Sequence, residues 1–387
     1  VGGRDLRVDF FRGLALWMIF VDHIHGNFWK KLTYQNVGLS DAAEIFIFLS
    51  GISCSIAYGS ILQRDGWATA QKKAMRAAAR VYLGYLAATV GFFVVALAAA
   101  PLLTVEATDI LDLAPLLQDP LRAGGAALGL RFAPYTLMVL PVYVVLIPFA
   151  GVALGCISRR PVATLAASAS LWALVQAAPS LNLPSILPGG VWPINPLAWQ
   201  FLFVIGLAAG WRHYQEGAPF VATRPAVALA GIVALLGLAV RLAHAMAAQR
   251  GWEVPLLDKV IDGSLGWPAK TDLSPLRLVH FLAVAYLVAT LVARRRKLFE
   301  ARWARPLVVS GQHSLALFCL SVVLNLAASL WVMLESPGRA MQLAITLAGC
   351  LALWTCATLL AGGKERRGTG APALVLPPTS RPAMPPG

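Results

Sequence analysis

Apolar residues in this chain come in long runs, separated by short basic stretches or by segments rich in proline and glycine. Runs near the 20 residues that a helix needs to cross a bilayer recur at 10–27, 42–62, 80–100, 135–157, 161–178, 196–211, 225–247, 276–293, 307–333 and 340–361. Lipid offers peptide groups no hydrogen-bonding partner, so runs of this length predict helices. The pattern predicts an all-α fold, a polytopic transmembrane bundle of about ten spans filling residues 1–363. Pro179, Pro184, Pro188, Pro193 and Pro196 crowd the gap between the fifth and sixth runs. The segment 364–387, rich in Pro, Gly and Ala, carries no such pattern and is expected to be a disordered C-terminal tail.

Composition agrees with the pattern. Of 387 residues, 58% are hydrophobic and 13% charged, about half the charge of an ordinary soluble domain. A net charge of +14 in a soluble protein would suggest a nucleic-acid partner. Here the basic residues lie mostly between the apolar runs, where they act as orientation anchors, and no nucleic-acid partner is expected. With the N-terminus in the cytoplasm, the segments on that side carry 22 Lys and Arg and the opposite segments carry 8. That asymmetry predicts a multi-pass protein of a bacterial inner membrane with both termini cytoplasmic. The opposite side would then hold loops with Glu106, Asp109, Asp112 and Asp119, and with Trp252, Asp258, Asp262, Trp267 and Asp272. Carboxylates beside tryptophans suit sugar binding, although tryptophan at a membrane interface is commonplace. The five cysteines all fall inside apolar runs without a CxxC pair. They read as small hydrophobes, and no metal site is expected.

Ionisable side chains inside a span cost roughly 2.5–3.5 kcal/mol on insertion scales and mark function by default. The first run holds Arg12, Asp22, His23 and His25, with Asp9 just before it. Arg12 and His23 are eleven positions apart, which places them within about 20° of one helix face and about 16.5 Å apart along it. Asp9 stands three positions before Arg12, close enough to pair. One face thus carries a charged pair toward one end and an imidazole toward the other. Histidine is a natural general base near neutral pH, and a carboxylate would hold the imidazole as the third member of a triad does. Asp22 points about 100° away from His23 within the helix, so Asp41 and Glu44, at the mouth of the second span, are the better-placed carboxylates. Arg241 with His244, Arg277 with His280, and Gln312, His313 and Asn325 are further polar groups in later spans. An arginine facing a cavity could grip a carboxylate or phosphate bidentately; packing between helices is the plainer alternative. P-loop, HExxH, GxSxG and dinucleotide-binding glycine patterns are lacking.

Asp9-Phe10-Phe11-Arg12-Gly13 followed by Asp22-His23, and Glu44-Ile45-Phe46-Ile47-Phe48-Leu49-Ser50-Gly51, resemble the opening helices of membrane-integral acyltransferases. Finer detail resembles the OpgC branch: Arg4 to Gly13, Ser40 to Glu44, Trp192-Pro193-Ile194-Asn195-Pro196 with Trp199-Gln200, Leu276 to Phe281, and Gly311-Gln312-His313-Ser314-Leu315. The resemblance implies a succinyltransferase that takes its acyl group from cytoplasmic succinyl-CoA and places it on glucose hydroxyls of osmoregulated periplasmic glucans. It implies His23 as catalytic base; Asp22, Asp41 and Glu44 join the catalytic set as carboxylates read from the residues themselves. It also implies Arg12 and Asp9 on the donor side. Arg241, Arg277, His280 and His313 are added to the acyl-CoA site on their charge alone, with Arg241 or Arg277 as a grip for the succinyl carboxylate. His25 has no assigned role. Acyl-CoA, a periplasmic glucan or related polysaccharide, and membrane lipid are the expected partners, and the chain could form a homodimer. Transfer of acetyl or another acyl group to a different envelope polysaccharide is the nearest competing reading. A secondary transporter is a more distant one, because no motif repeats between the two halves.

Overall fold

A computed structural model of the chain describes residues 5–134, 136–178, 180–255, 270–293 and 295–368. Among these residues the architecture is all-helical, apart from one isolated bridge between Pro184 and Val191. The helices are α1 (Leu6–Asp22), α2 (Ala42–Asp65), α3 (Trp67–Ala99), α4 (Val105–Ile110), α5 (Ala114–Gln118), α6 (Pro120–Leu128), α7 (Val139–Leu146), α8 (Ala150–Arg159), α9 (Pro161–Ala177), α10 (Pro196–Gly210), α11 (Arg224–Gln249), α12 (Pro275–Val292), α13 (Arg305–Gln312), α14 (Ser314–Glu335) and α15 (Arg339–Gly368).

Seven stretches among the described residues are long and apolar enough to cross a membrane: α2, α3 with the turn after it, α7–α8, α11, α12, α14 and α15. The other three expected spans are helices too, but at 17 residues each for α1 and α9 and 15 for α10 they are short. Rows of exposed apolar side chains run along α3 (Leu83, Val90, Val94) and α11 (Leu229, Ile232, Leu235, Leu236). Water would penalise such rows along the length of a helix, and lipid does not. The chain is a multi-pass membrane protein.

Three boundaries differ from the sequence expectation. The run 307–333 is broken at His313, where α13 ends and α14 begins; the polar Gln312-His313-Ser314 stretch interrupts a hydropathy that otherwise reads as continuous. Helix α3 begins at Trp67 instead of near 80, since the alanine-rich basic segment before the apolar run has high helix propensity of its own. Helix α15 continues past residue 364 to Gly368. The rest of the expected tail lies outside the described residues, as do Arg4, Asp258, Asp262 and Trp267.

Two close helix crossings set the frame. A β-carbon on Gly13 of α1 would overlap the Leu307 carbonyl oxygen, and one on Gly311 of α13 would overlap that of Asp9. Gly51 of α2 and Gly206 of α10 bear the same relation to Phe203 and Phe48. Small residues let backbones approach where lipid supplies no hydrophobic drive between helices. The glycines of the Asp9–Gly13, Leu49–Gly51 and Gly311–Ser314 motifs are therefore packing positions that bring Arg12 and His23 against α2 and α14.

Candidate active site

His23 closes α1 as its C-terminal cap and is buried. Its Nδ1 lies 2.7 Å from the Ile19 carbonyl oxygen. A carbonyl only accepts, so Nδ1 carries the proton and Nε2 keeps the lone pair that a base needs. The sequence reading gave the task of holding the imidazole to a carboxylate; at Nδ1 a backbone carbonyl of the same helix performs it. Ser329 on α14 fastens this turn from outside. Its hydroxyl donates to the His23 carbonyl (3.3 Å) and accepts from the His25 backbone N–H (3.0 Å). This gives His25 a place beside the site, held through its backbone.

A cavity of about 10 Å³ opens beside His23, lined also by Asp22, Gln35, Asp41, Met138, Val139 and Lys270. Its volume holds about one water. Thr33 hydrogen-bonds the Asp22 carboxylate and, at 2.7 Å, the Lys30 carbonyl, which anchors the loop after α1 over the site. Asp22 and Asp41 therefore do meet His23 in one cavity.

Asp41 and Glu44 have a local reason for their spacing. Asp41 accepts from the Ala43 N–H at 2.8 Å, and Glu44 Oε2 accepts from the Asp41 N–H at 2.9 Å. This is a capping box, in which the first and fourth residues satisfy each other's orphan donors. The box is buried, so its two negative charges need cations. Arg277 supplies one: Nε donates to Glu44 Oε1 at 2.7 Å and Nη2 to Asp41 Oδ2 at 3.0 Å. Lys270 supplies the other, with Nζ 2.9 Å from Asp41 Oδ2. Burial alone would raise the Asp41 pKa, but the adjacent Lys270 and Arg277 cations override it and hold the carboxyl far below its ordinary range. Asp41 stays anionic.

The six residues placed on the donor by sequence fall into two groups. Toward the start of α1, Arg12 donates to Ser314 Oγ at 2.6 Å and lies 5.9 Å from the Phe46 ring centroid. Gln312 reaches Asp9 at 3.4 Å, and His313 sits at the break between α13 and α14, next to Ser314. At the other end, Arg277 is engaged as above. His280 Nδ1 hydrogen-bonds Ser40 Oγ at 2.8 Å, which in turn meets the Tyr34 hydroxyl at 2.6 Å. Arg241 Nε donates to the Gly38 carbonyl at 2.7 Å. The expected single donor site is thus divided along α1. Arg277 holds two internal carboxylates where the sequence reading gave it a ligand's, because a buried capping box must be neutralised from within.

Lys270 is the residue that sequence reasoning missed; a lone lysine on a connecting loop reads as a solvated charge. The motif Trp192–Gln200 explains its placement. Asn195 donates through its N–H to the Thr271 carbonyl (2.8 Å) and through Nδ2 to Asp272 Oδ1 (2.7 Å). Trp199 Nε1 lies 3.0 and 3.1 Å from the Lys270 and Thr271 carbonyls. Elsewhere, Asp119 lines a cavity of about 270 Å³ with Gln118, Arg122 and the chain at Ile186, Leu187 and Pro188. That segment is joined to the site through Asn195, whose Nδ2 also meets the Leu181 carbonyl at 2.7 Å. Trp252, which sequence grouped with sugar-binding candidates, is exposed and lies under the Arg250 guanidinium at 5.0 Å. Among the described residues no group of three or more His, Cys, Asp or Glu is arranged to hold a metal ion.

A family model described as OpgC protein matches residues 4–365. No curated protein and no solved structure matches the chain.

Proposed function

The chain belongs to the OpgC protein family, whose members are acyltransferases tied to glucan modification, and from that premise we propose that it moves a succinyl group from succinyl-CoA onto glucose hydroxyls of a periplasmic glucan. The observation that carries the reading is His23: a buried imidazole with Nδ1 fixed on a carbonyl, facing a cavity that it shares with Asp22, Asp41 and Lys270. We place this end of the bundle, with the 101–134 and 180–195 segments, on the periplasmic side of a bacterial inner membrane, and the Arg12 end toward the cytoplasmic donor. The ten-span arrangement with both termini cytoplasmic belongs to this proposal.

In the reaction, the acceptor hydroxyl loses its proton to His23 Nε2 as its oxygen bonds to the thioester carbonyl carbon. The carbonyl π pair moves onto oxygen. It then returns to re-form C=O while the C–S bond breaks, and the thiolate takes the proton from Nε2. Asp41, kept anionic, favours the imidazolium that exists between the two transfers. Arg12, 11 residues before His23 and about 16.5 Å along α1, suits the anionic part of a CoA donor. The cavity by Asp119 offers carboxylate, amide and guanidinium groups to sugar hydroxyls.

Acetyl or another uncharged acyl group is the second reading. It is favoured by the commitment of Arg277 to Asp41 and Glu44, which takes one cation away from a succinyl carboxylate. The test is His23→Ala in cells that make periplasmic glucan, with acyl groups on the glucan measured by mass spectrometry at equal expression. Acylation is expected to vanish, and the mass added in wild type identifies the acyl group. Undiminished acylation would rule out His23 as the base.

A further inference from the structure

Resting on the acyl-transfer reading above, we propose that Lys270 is the electrophilic catalyst of the site, its ammonium receiving the negative charge that forms on the thioester oxygen as the hydroxyl attacks. The base alone leaves that charge unanswered. A tetrahedral intermediate needs a donor placed in advance where the oxygen, not the carbonyl of the ground state, will sit.

Lys270 meets that need by position. It lines the same cavity of about 10 Å³ as His23. Both groups therefore border one small space. The lysine side chain is 23% exposed, so it is partly sheltered from solvent screening and still open to a ligand. Its backbone is unusually well held for a loop. Trp199 donates to the carbonyls of Lys270 and Thr271, Asn195 to those of Thr271 and to the Asp272 side chain, Gln176 to the Asp272 carbonyl at 2.6 Å and Trp172 to the Leu273 carbonyl at 2.9 Å. A donor fixed this way costs little reorganisation when charge develops.

The charges around it allow the ammonium to be shared. Asp41, Glu44, Arg277 and Lys270 are two anions and two cations, and Arg277 alone reaches both carboxylates, at 3.0 Å for Asp41 and 2.6 Å for Glu44. When the ammonium, with its three donors, shares itself between Asp41 and an oxyanion, Asp41 keeps Arg277. The plain competing account is that Lys270 only balances Asp41. The two accounts differ in what a neutral replacement does to turnover.

The full chain, purified in detergent or nanodiscs, is assayed for thiol release and ester formation with succinyl-CoA and separately with acetyl-CoA, using a linear glucose oligosaccharide as acceptor. Lys270→Met should lower kcat on the order of 10²–10³-fold with both donors, the usual loss for one oxyanion donor, with each KM within about threefold. Lys270→Arg, which keeps the charge, should recover at least about tenfold over the Met variant. A kcat for Lys270→Met within about threefold of wild type overturns the proposal. So does a loss confined to succinyl-CoA, which would make Lys270 a grip for the succinyl carboxylate, or a loss that tracks a fall in Tm and is not relieved by Arg. If Lys270→Met yields no folded protein, Lys270→Gln carries the same reading. A wild-type chain inactive with both donors, or a His23→Ala variant as active as wild type, sinks the underlying acyl-transfer reading and this inference with it. An inactive His23→Ala beside an unimpaired Lys270→Met sinks this inference alone.

Discussion

The two ends of α1 differ in what does most of the holding. At the His23 end, charges hold one another: Asp41, Glu44, Arg277 and Lys270 form a connected set, and the loops that carry them are tied down by Thr33, Ser40, Asn195 and Trp199. At the Arg12 end, backbones hold one another. Gly13 and Gly311 let α1 and α13 touch, and Arg12 rests on Ser314 and the Phe46 ring. Charges matched to each other make a rigid site, suited to chemistry that needs atoms in fixed places. A small-residue crossing sets two backbones in contact and leaves side chains to line its edges, and in the proposed function this is the end that takes the long donor. The division of labour proposed for donor and acceptor follows this difference in construction.

Removing one member of this charge set should have the largest effect on stability. Arg277→Met leaves Glu44 and Asp41 buried with Lys270 as the remaining cation of the set, and breaking a buried pair from one side costs about 3–5 kcal/mol. The expected result is a large loss of folded protein, seen as a collapsed monodisperse peak in size-exclusion chromatography. Glu44→Gln combined with Arg277→Met removes one charge of each sign and should restore part of it. If Arg277→Met alone is as stable as wild type, the His23 end is not held by charge and the comparison fails.

An intermediate effect is expected at the helix crossing. Gly311→Ala drives a β-carbon into the Asp9 carbonyl, so α1 and α13 must part, at a cost of about 1–3 kcal/mol for overpacking. Because Gln312 and Ser314 are the next contacts along, to Asp9 and Arg12, the separation should raise the donor KM several-fold with little change in the acceptor KM. Steady-state kinetics over both substrates checks this. Equal changes in both KM values would mean that the crossing serves the whole bundle and not the donor end.

These contrasts were only partly legible in the sequence. Hydropathy located the helices because span length and lipid solvation are local properties of the chain. The break at His313 escaped it because a window averages three polar residues away. His23 and Arg12 could be aligned because both lie on one helix, where 3.6-residue geometry applies. Asp41 was named beside His23 and does line its cavity, and the Asp-x-x-Glu spacing of Asp41 and Glu44 before an apolar run was a readable capping-box signal. The partners of Arg277 and the placement of Lys270 were not legible. Both depend on segments more than 200 residues away in sequence being brought to α2, and no local pattern encodes that.

The smallest effect should appear where α1 begins, outside the apolar run. Asp5 accepts from the Arg7 side chain at 2.6 Å and from the Tyr214 hydroxyl at 2.6 Å, which ties the start of α1 to the segment after α10. Burial works to raise its pKa, but Arg7 and Tyr214 outweigh it and hold the carboxyl down to about 2, against an ordinary 3.8. A lowered folded-state pKa means that the anion stabilises the fold above about pH 4 and ceases to as pH falls toward 2. Water still reaches this site, so the contribution is discounted to about 1 kcal/mol or less. Asp5→Asn should therefore lower Tm by only about 2 °C between pH 5 and 8, and wild type and variant should converge as pH drops from about 4 to 2, measured by scanning fluorimetry in detergent. A drop as large as that of Arg277→Met would show that charge holds this end too, and the contrast between the two ends of α1 would have to be abandoned.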